Sequence, residues 1–406
     1  MKNITALFAS TLCSLIVAGQ SFQAIDTTFQ SDGWQLEGTV TLPNGAGPFP
    51  GVVIVHGSGP TDRDATFQVS GGNAACLYPG IENETVKLYK DLAEALSEQG
   101  IAVLRYDKRT LTHGSSLDLQ NLTLEDFEID ANNALGFLES FNQIDPNQLF
   151  LIGHSQGSTL ITDAAIMHGN VKGLISMAGN TTPIDTIIGR QTRDIFYKCQ
   201  NDTNGGDFQQ SAILNAMGMI RNGTWNSATP IMGAYEPFWL SWINATDSVI
   251  ERYQQANLPG LFLQGDDDFN VPVTEVEPFE QLDPTKNTIE IFNGLNHYFN
   301  NGQTPHTDAH VEQTIIDWIL GFTTSIQPSE RVQPIRVIQT GSDLKILLAE
   351  HDRVTCQVYN LSGSLVFEQS FDRVKSINFN SISLDGAHIL VAHSEKNGQL
   401  RRICYF

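Results

Sequence analysis

Short, almost wholly apolar runs recur through the first three quarters of the chain, spaced so that a helix fits between each pair. Gly51 to His56, Ile101 to Tyr106, Leu149 to Ile152, Val171 to Ala178, Leu261 to Gln264 and Thr288 to Phe292 are such runs. A strand that is apolar on both faces must be covered on both, which is the condition of a parallel sheet between two helical layers. The intervening segments have the matching period. In Val86 to Gln99, Leu88, Leu92, Ala95 and Leu96 fall on one helical face, and Gly100 is placed to end the helix. Leu124 to Phe141 (capped by Thr123), Gln156 to about His168, Val273 to Gln281 and Ala309 to Ile319 read the same way. Trp34 to Leu42 alternates as a strand and leads into an Asn44-Gly45 turn. The expected class is α/β, a doubly wound, right-handed and mostly parallel sheet.

The rhythm breaks between about 180 and 257. Helical segments at Thr186 to Tyr197 and Phe208 to Ile220, with the aromatic residues Trp225, Tyr235, Phe238, Trp239 and Trp242, predict a helical cap inserted over the sheet. At 406 residues the chain exceeds one average domain. Gly321 to Pro334 is polar and contains proline. Beyond it lie only short strands: Leu344 to Leu348, Val354 to Tyr359, Ser364 to Phe367, Ile377 to Phe379, His388 to Ala392 and Leu400 to Tyr405. A small β-sandwich is expected there. The division is then a leader at 1–24, an α/β domain at 25–322, a linker at 323–334 and the β-sandwich at 335–406.

Met1-Lys2-Asn3 precede a mostly apolar stretch from Ile4 to Ala18, followed by small and polar residues. That is the order of a signal peptide cut near Ala18-Gly19-Gln20 or after Ala24. The stretch is short for a membrane span. A secreted or cell-surface protein is expected, in which disulfides persist. Cys13 leaves with the leader. Pairing Cys76 with Cys199 and Cys356 with Cys404 would keep each bond within one domain, and free thiols are the alternative. No Cys or His spacing suggests zinc. The formal net charge of −22 argues against nucleic acid as a partner, because phosphate binding needs clustered Lys and Arg.

The chemistry concentrates at strand ends. Gly153-His-Ser-Gln-Gly157 stands where the strand Leu149 to Ile152 meets a helix, and a sharp turn there exposes the hydroxyl of Ser155. His56-Gly-Ser-Gly-Pro60 follows the strand ending at Val55, where backbone N–H groups can hold an oxyanion; the donors expected are those of Ser58 and Gln156. Asp266, Asp267 and Asp268 follow Gln264, any of which could orient a histidine. His297, in Gly294-Leu-Asn-His-Tyr298, lies beyond the strand ending at Phe292 and supplies the base. His306 and His310, with Asp308 between them, have a spacing open to a metal, but no third ligand accompanies them; neither metal nor cofactor is expected.

These elements, in the order serine, aspartate, histidine, resemble the α/β-hydrolase superfamily over about Ile25 to Phe322. With His56-Gly-Ser-Gly-Pro-Thr-Asp-Arg-Asp64 and Arg105-Tyr-Asp-Lys-Arg109, the chain resembles a bacterial esterase group related to dienelactone hydrolase and prolyl-oligopeptidase catalytic domains. That group often has glycine after Arg109, where this chain has Thr110. In the superfamily the acid stands fourth in Gly-x-x-Asp-x-x-Val, here Gly265 to Val271, so the resemblance implies Asp268. It implies a serine hydrolase cleaving a small-molecule carboxylic ester, with short acyl chains expected, through an acyl-enzyme on Ser155. Leu344 to Leu347, Val358-Tyr-Asn-Leu-Ser-Gly363 and Ser383 to Val391 resemble type IX secretion sorting domains and imply secretion machinery as a partner. The rival readings are an exported serine peptidase or aminopeptidase of the same fold, and a non-catalytic binding protein that kept it.

Overall fold

The structure, a computed structural model, describes residues 21–323, 336–340, 343–360, 365–379, 387–394 and 398–405, and divides into the units Met1–Thr324 and Ser325–Phe406. The first unit opens with β1 (Phe22–Ser31) and β2 (Trp34–Pro43), an antiparallel hairpin. After β3 (Phe49–Val55) comes an excursion holding β4 (Thr66–Gln68), α1 (Gly72–Leu77) and β5 (Thr85–Lys87). The alternation continues through α2 (Leu88–Glu98), β6 (Ala102–Tyr106), α3 (Arg109–Thr112), α4 (Leu124–Glu139), β7 (Ile144–His154), α5 (Gln156–His168) and β8 (Gly173–Met177). Between β8 and β9 (Gly260–Gly265) stand α6 (Ile184–Ile195), a π-helical turn at Phe196–Gln200, α7 (Thr203–Arg221), α8 (Glu236–Thr246) and α9 (Val249–Ala256). A 3-10 helix at Val273–Gln281, β10 (Asn287–Phe292) and α10 (Ala309–Thr323) complete the unit.

Its eight-stranded sheet runs β1-β2-β6-β3-β7-β8-β9-β10. β2 is antiparallel to both neighbours, and every pairing from β6 onward is parallel. Alternate side chains of a strand point to opposite faces, and here both faces are filled. Val53, Val55, Leu104 and Leu151 pack with Leu135, Leu138 and Leu160 of α4 and α5. Val52, Ile54, Val103 and Ile152 pack with Leu92, Leu96, Val311 and Ile315 of α2 and α10. Each such side chain contributes about 1.5–3 kcal/mol by leaving water. The α/β reading of the apolar runs is met.

β1 lies outside the expected strands, because it mixes Asp26, Thr27 and Thr28 with few buried residues; Phe22, Phe29 and Ser31 alone lie shut away. Of the leader expected at 1–24, residues 1–20 lie outside the described residues, while Phe22, Gln23 and Ala24 stand in β1; a cut after Ala24 would strip them from the strand, whereas one near Ala18 leaves it whole. The helix expected at Val273–Gln281 is a 3-10 helix with Pro278 inside it, where the proline ring would crowd the carbonyl four residues earlier in an α-helix. Among the inserted aromatics, Trp239 and Trp242 stack with centroids 5.8 Å apart and are buried in the core. A disulfide joins Cys76 of α1 to Cys199 of the π-helical turn.

In the second unit β11 (Arg336–Thr340), β12 (Asp343–Asn360), β13 (Leu365–Phe379), β14 (Ala387–Ser394) and β15 (Gly398–Tyr405) are described. Where the sequence suggested a sandwich, these strands pair into one five-stranded antiparallel sheet ordered β11-β12-β14-β15, with β13 on the other edge of β12. The expected linker lies outside the described residues except Thr323, which ends α10. The Cys356–Cys404 pairing is not formed: Cys356 is a buried free thiol. The register explains this. Cys356 faces Ala392 on β14, while Cys404 sits across β14, opposite His388. Two strand spacings separate β12 from β15, roughly 9–10 Å, beyond a disulfide's reach.

Candidate active site

The turn between β7 and α5 places Ser155 at φ 54° and ψ −118°, a conformation unfavourable for any residue with a side chain. Such strain costs about 1–3 kcal/mol and persists only where the surroundings dictate it. Its N–H is held by Met177 O at 2.8 Å. The two flanking glycines are required by space: a Cβ on Gly153 would lie 2.4 Å from Gly157 O, and one on Gly157 would lie 2.3 Å from Val55 O. The strand end carrying the His56 loop therefore passes directly against the serine turn. A Cβ on Gly57 would stand 3.4 Å from Ser155 Cβ, so the loop and the hydroxyl-bearing carbon are neighbours. Gln156 is the first residue of α5, where a helix leaves its N–H groups without intrahelical partners.

The three adjacent aspartates have separate fates. Asp268 is buried, and its Oδ2 accepts from His297 Nδ1 at 2.8 Å and from Gln264 Nε2 at 3.1 Å. Its Oδ1 accepts from the N–H groups of Asn270 and Val271 at 2.7 and 2.9 Å. Asp266 is exposed and accepts from Gly294 N–H at 2.6 Å, bracing the loop that carries His297. Asp267 is exposed, with its backbone N–H on Leu295 O. With Nδ1–H committed to Asp268, the neutral His297 ring has Nε2 left as its basic nitrogen. That ring packs 4.7 Å, centroid to centroid, from the ring of His154, the residue before Ser155.

A hydrogen-bond chain that the sequence did not reveal links loop and base. Gly57 N–H donates to Tyr89 Oη at 2.9 Å, Tyr89 lies 3.2 Å from His154 Nδ1, and His154 Nε2 lies 3.0 Å from His297 O. A carbonyl only accepts, so His154 carries its proton on Nε2 and receives the Tyr89 hydroxyl on Nδ1. Burial, reinforced by His297, pulls the His154 pKa down to about 3, which keeps that tautomer neutral. His56 is likewise held to about 3 by burial and by Lys108, with its Nε2 on Tyr106 O. Lys108 is buried with Nζ 2.8 Å from Gly57 O, and burial draws its pKa down to about 7 against the pull of Asp130. Tyr89 sits on the face of a regular helix and gives no sign in the sequence. Lys108 lies in the Arg105-Tyr-Asp-Lys-Arg109 segment, whose pattern does not disclose this contact.

Other motif residues are structural. Arg109 forms a two-pronged pair with Asp130, at 2.7 Å for each bond, and Arg63 pairs with Asp107. His306 turns to Asp91 and His310 packs against Phe292, so the two do not share a site. Among the described residues no three His, Cys, Asp or Glu side chains cluster as metal ligands.

The chain is similar to Esterase EstD of Thermotoga maritima, 28% identical over 309 residues covering 74% of this chain and 67% of that protein. Among solved structures it is similar to Est1E from Butyrivibrio proteoclasticus (TM-score 0.45, 15% identity, 74% of this chain and 99% of that one). It is also similar to the meta-cleavage product hydrolase of Pseudomonas fluorescens (TM-score 0.46, 15% identity, 73% and 98%). The family model described as serine aminopeptidase, S33, matches residues 76–303, a span that includes Ser155, Asp268 and His297. That span is more than half of the chain, and the chain belongs to this α/β-hydrolase family.

Proposed function

We propose that the chain is a carboxylic-ester hydrolase working through an acyl-enzyme on Ser155. The observation that carries the reading is the buried Asp268–His297 pair, set beside the strained serine turn. Ser155 Oγ attacks the ester carbonyl while His297 Nε2 takes its proton, and Asp268 holds the tautomer and stabilises the imidazolium. The N–H groups of Ser58 and Gln156 receive the oxyanion. His297 returns the proton to the departing alkoxide, and water then releases the acid by the same steps. No cofactor enters this scheme.

Resemblance to an esterase supports the ester over the amide. The family's description keeps an aminopeptidase in play. In the esterase reading the helices between β8 and β9 form a cap that restricts the site to short acyl chains. The protein is exported, and its C-terminal unit serves the secretion machinery.

Ser155→Ala is expected to lower hydrolysis of p-nitrophenyl butyrate by about 10⁴-fold or more and to abolish fluorophosphonate labelling. Retained turnover would remove the assignment. A panel of short esters against aminoacyl p-nitroanilides separates esterase from aminopeptidase.

A further inference from the structure

Lys108 lies between β6 and α3 with 3% of its surface exposed. Taking an ammonium out of water costs several kcal/mol unless its protons find partners. Among the described residues no carboxylate forms an ion pair with it. Its Nζ donates to Gly57 O at 2.8 Å and to Gln156 Oε1 at 2.7 Å, and stands 4.5 Å from the centroid of the Phe127 ring. The first acceptor belongs to the residue before Ser58. The second belongs to Gln156 itself.

Peptide geometry gives this arrangement a consequence. The Gly57–Ser58 bond is trans, so its C=O and N–H point in opposite directions within one plane. Fixing Gly57 O on Lys108 aims the Ser58 N–H away from the lysine. Gly57 N–H is itself anchored on Tyr89 Oη at 2.9 Å, so neither peptide flanking this glycine is free to turn. Glycine needs such restraint more than any other residue, since its own backbone supplies none. Gln156, whose N–H is the second proposed donor, is tied by its side chain to the same ammonium.

We propose that Lys108 is the positioning residue of the oxyanion hole, clamping the Gly57 peptide and the Gln156 side chain so that the N–H groups of Ser58 and Gln156 converge beside Ser155. It touches no reacting atom and acts through these two residues. The proposal rests on the acyl-enzyme reading.

The test compares the full chain with Lys108→Met, which keeps an unbranched side chain of similar length and loses every donor, and with Lys108→Gln, which keeps an amide donor. Active serines are counted by fluorophosphonate labelling run to completion, and kcat per labelled serine and KM are measured with p-nitrophenyl butyrate. Inhibition by an alkylboronic acid, which forms a tetrahedral adduct, is measured alongside. For Lys108→Met, kcat per labelled serine is expected to fall about 10²-fold with KM within about threefold, and boronate inhibition to weaken by a similar factor. Lys108→Gln is expected to lose about tenfold. A merely structural lysine would lower the labelled fraction and leave kcat per labelled serine unchanged; that result overturns the proposal. If Lys108→Met does not fold, Lys108→Gln decides on the same criterion. A wild-type protein that neither labels nor turns over the ester overturns the acyl-enzyme reading, and this inference with it.

Discussion

His297 Nδ1 donates to Asp268 Oδ2 across 2.8 Å, with the Asp268 side chain 1% and the His297 side chain 5% exposed. Its remaining hydrogen bonds come from two backbone N–H groups and the Gln264 amide, so the carboxylate is fixed in orientation. Asp268→Asn should therefore preserve the fold and present the wrong hydrogen to the histidine. A fall in kcat of about 10³–10⁴ is expected, against little change for the exposed Asp267→Asn. Ester kinetics with circular dichroism check this, and equal losses for the two variants would reject Asp268 as the orienting acid.

The chain from Gly57 through Tyr89 and His154 to His297 O predicts a cost for deleting one hydroxyl. Tyr89→Phe leaves Gly57 N–H and His154 Nδ1 buried without this partner, at about 1–3 kcal/mol for each group. Urea unfolding should show that loss, with kcat falling as the loop gains freedom. An unchanged midpoint would mean that the chain contributes nothing.

A pH dependence of stability follows from the buried histidines. His56 and His154 titrate near 3 in the folded state against an ordinary 6.5. Between these values the unfolded chain binds more protons, so stability rises with pH, by about 1.4 kcal/mol per pH unit for each proton of difference. Glu128 works in the opposite sense. Burial first, then Asp163, raises it to about 7 against Arg252, so its contribution declines as pH rises from the ordinary carboxylate range toward 7. Glu312 does the same, raised to about 7 by burial first and then by Asp91. Two histidines are therefore opposed by two glutamates, and the wild-type slope between about pH 6 and pH 4.5 should be shallow. His154→Gln, which does not titrate, removes one histidine from that balance and should lower the slope of unfolding free energy against pH by about 1 kcal/mol per pH unit relative to the wild type; equal slopes for the two proteins would reject the buried neutral histidine.

The Cys76–Cys199 bond closes a loop of sequence separation 123. Chain entropy alone sets an upper figure of about 4–5 kcal/mol for such a crosslink. Thermal melts of the Cys76→Ser/Cys199→Ser double variant should show a lowered midpoint, as should reduction of the wild type. Coincident melts would place the crosslink outside the cooperative unit.

Replacing Gly157 by Ala should cost about 3 kcal/mol or more, since the new methyl lies 2.3 Å from Val55 O and only backbone movement relieves it. Gly136→Ala, on α4 with nothing within 4 Å of the added carbon, should be neutral or slightly stabilising by the same melt.

What the sequence alone determined was local. Val52 to Val55 and Leu149 to Ile152 are apolar on both faces, which requires two covering layers, and α5 begins and ends where its period and its glycines place it. Gly153 and Gly157 mark a turn that only small residues enter, so Ser155 is legible in the sequence alone. β1 is not, because an edge strand with one solvated face carries little apolar signal. Nor are the free state of Cys356, the separate fates of Asp266, Asp267 and Asp268 as geometry, or the positions of Tyr89 and Lys108. Those depend on register and on contacts between residues far apart in the chain: 51 positions separate Lys108 from Gly57, and 143 separate His154 from His297. Periodicity reports which face of an element is buried. Which distant group meets it there is decided only when the sheet is assembled.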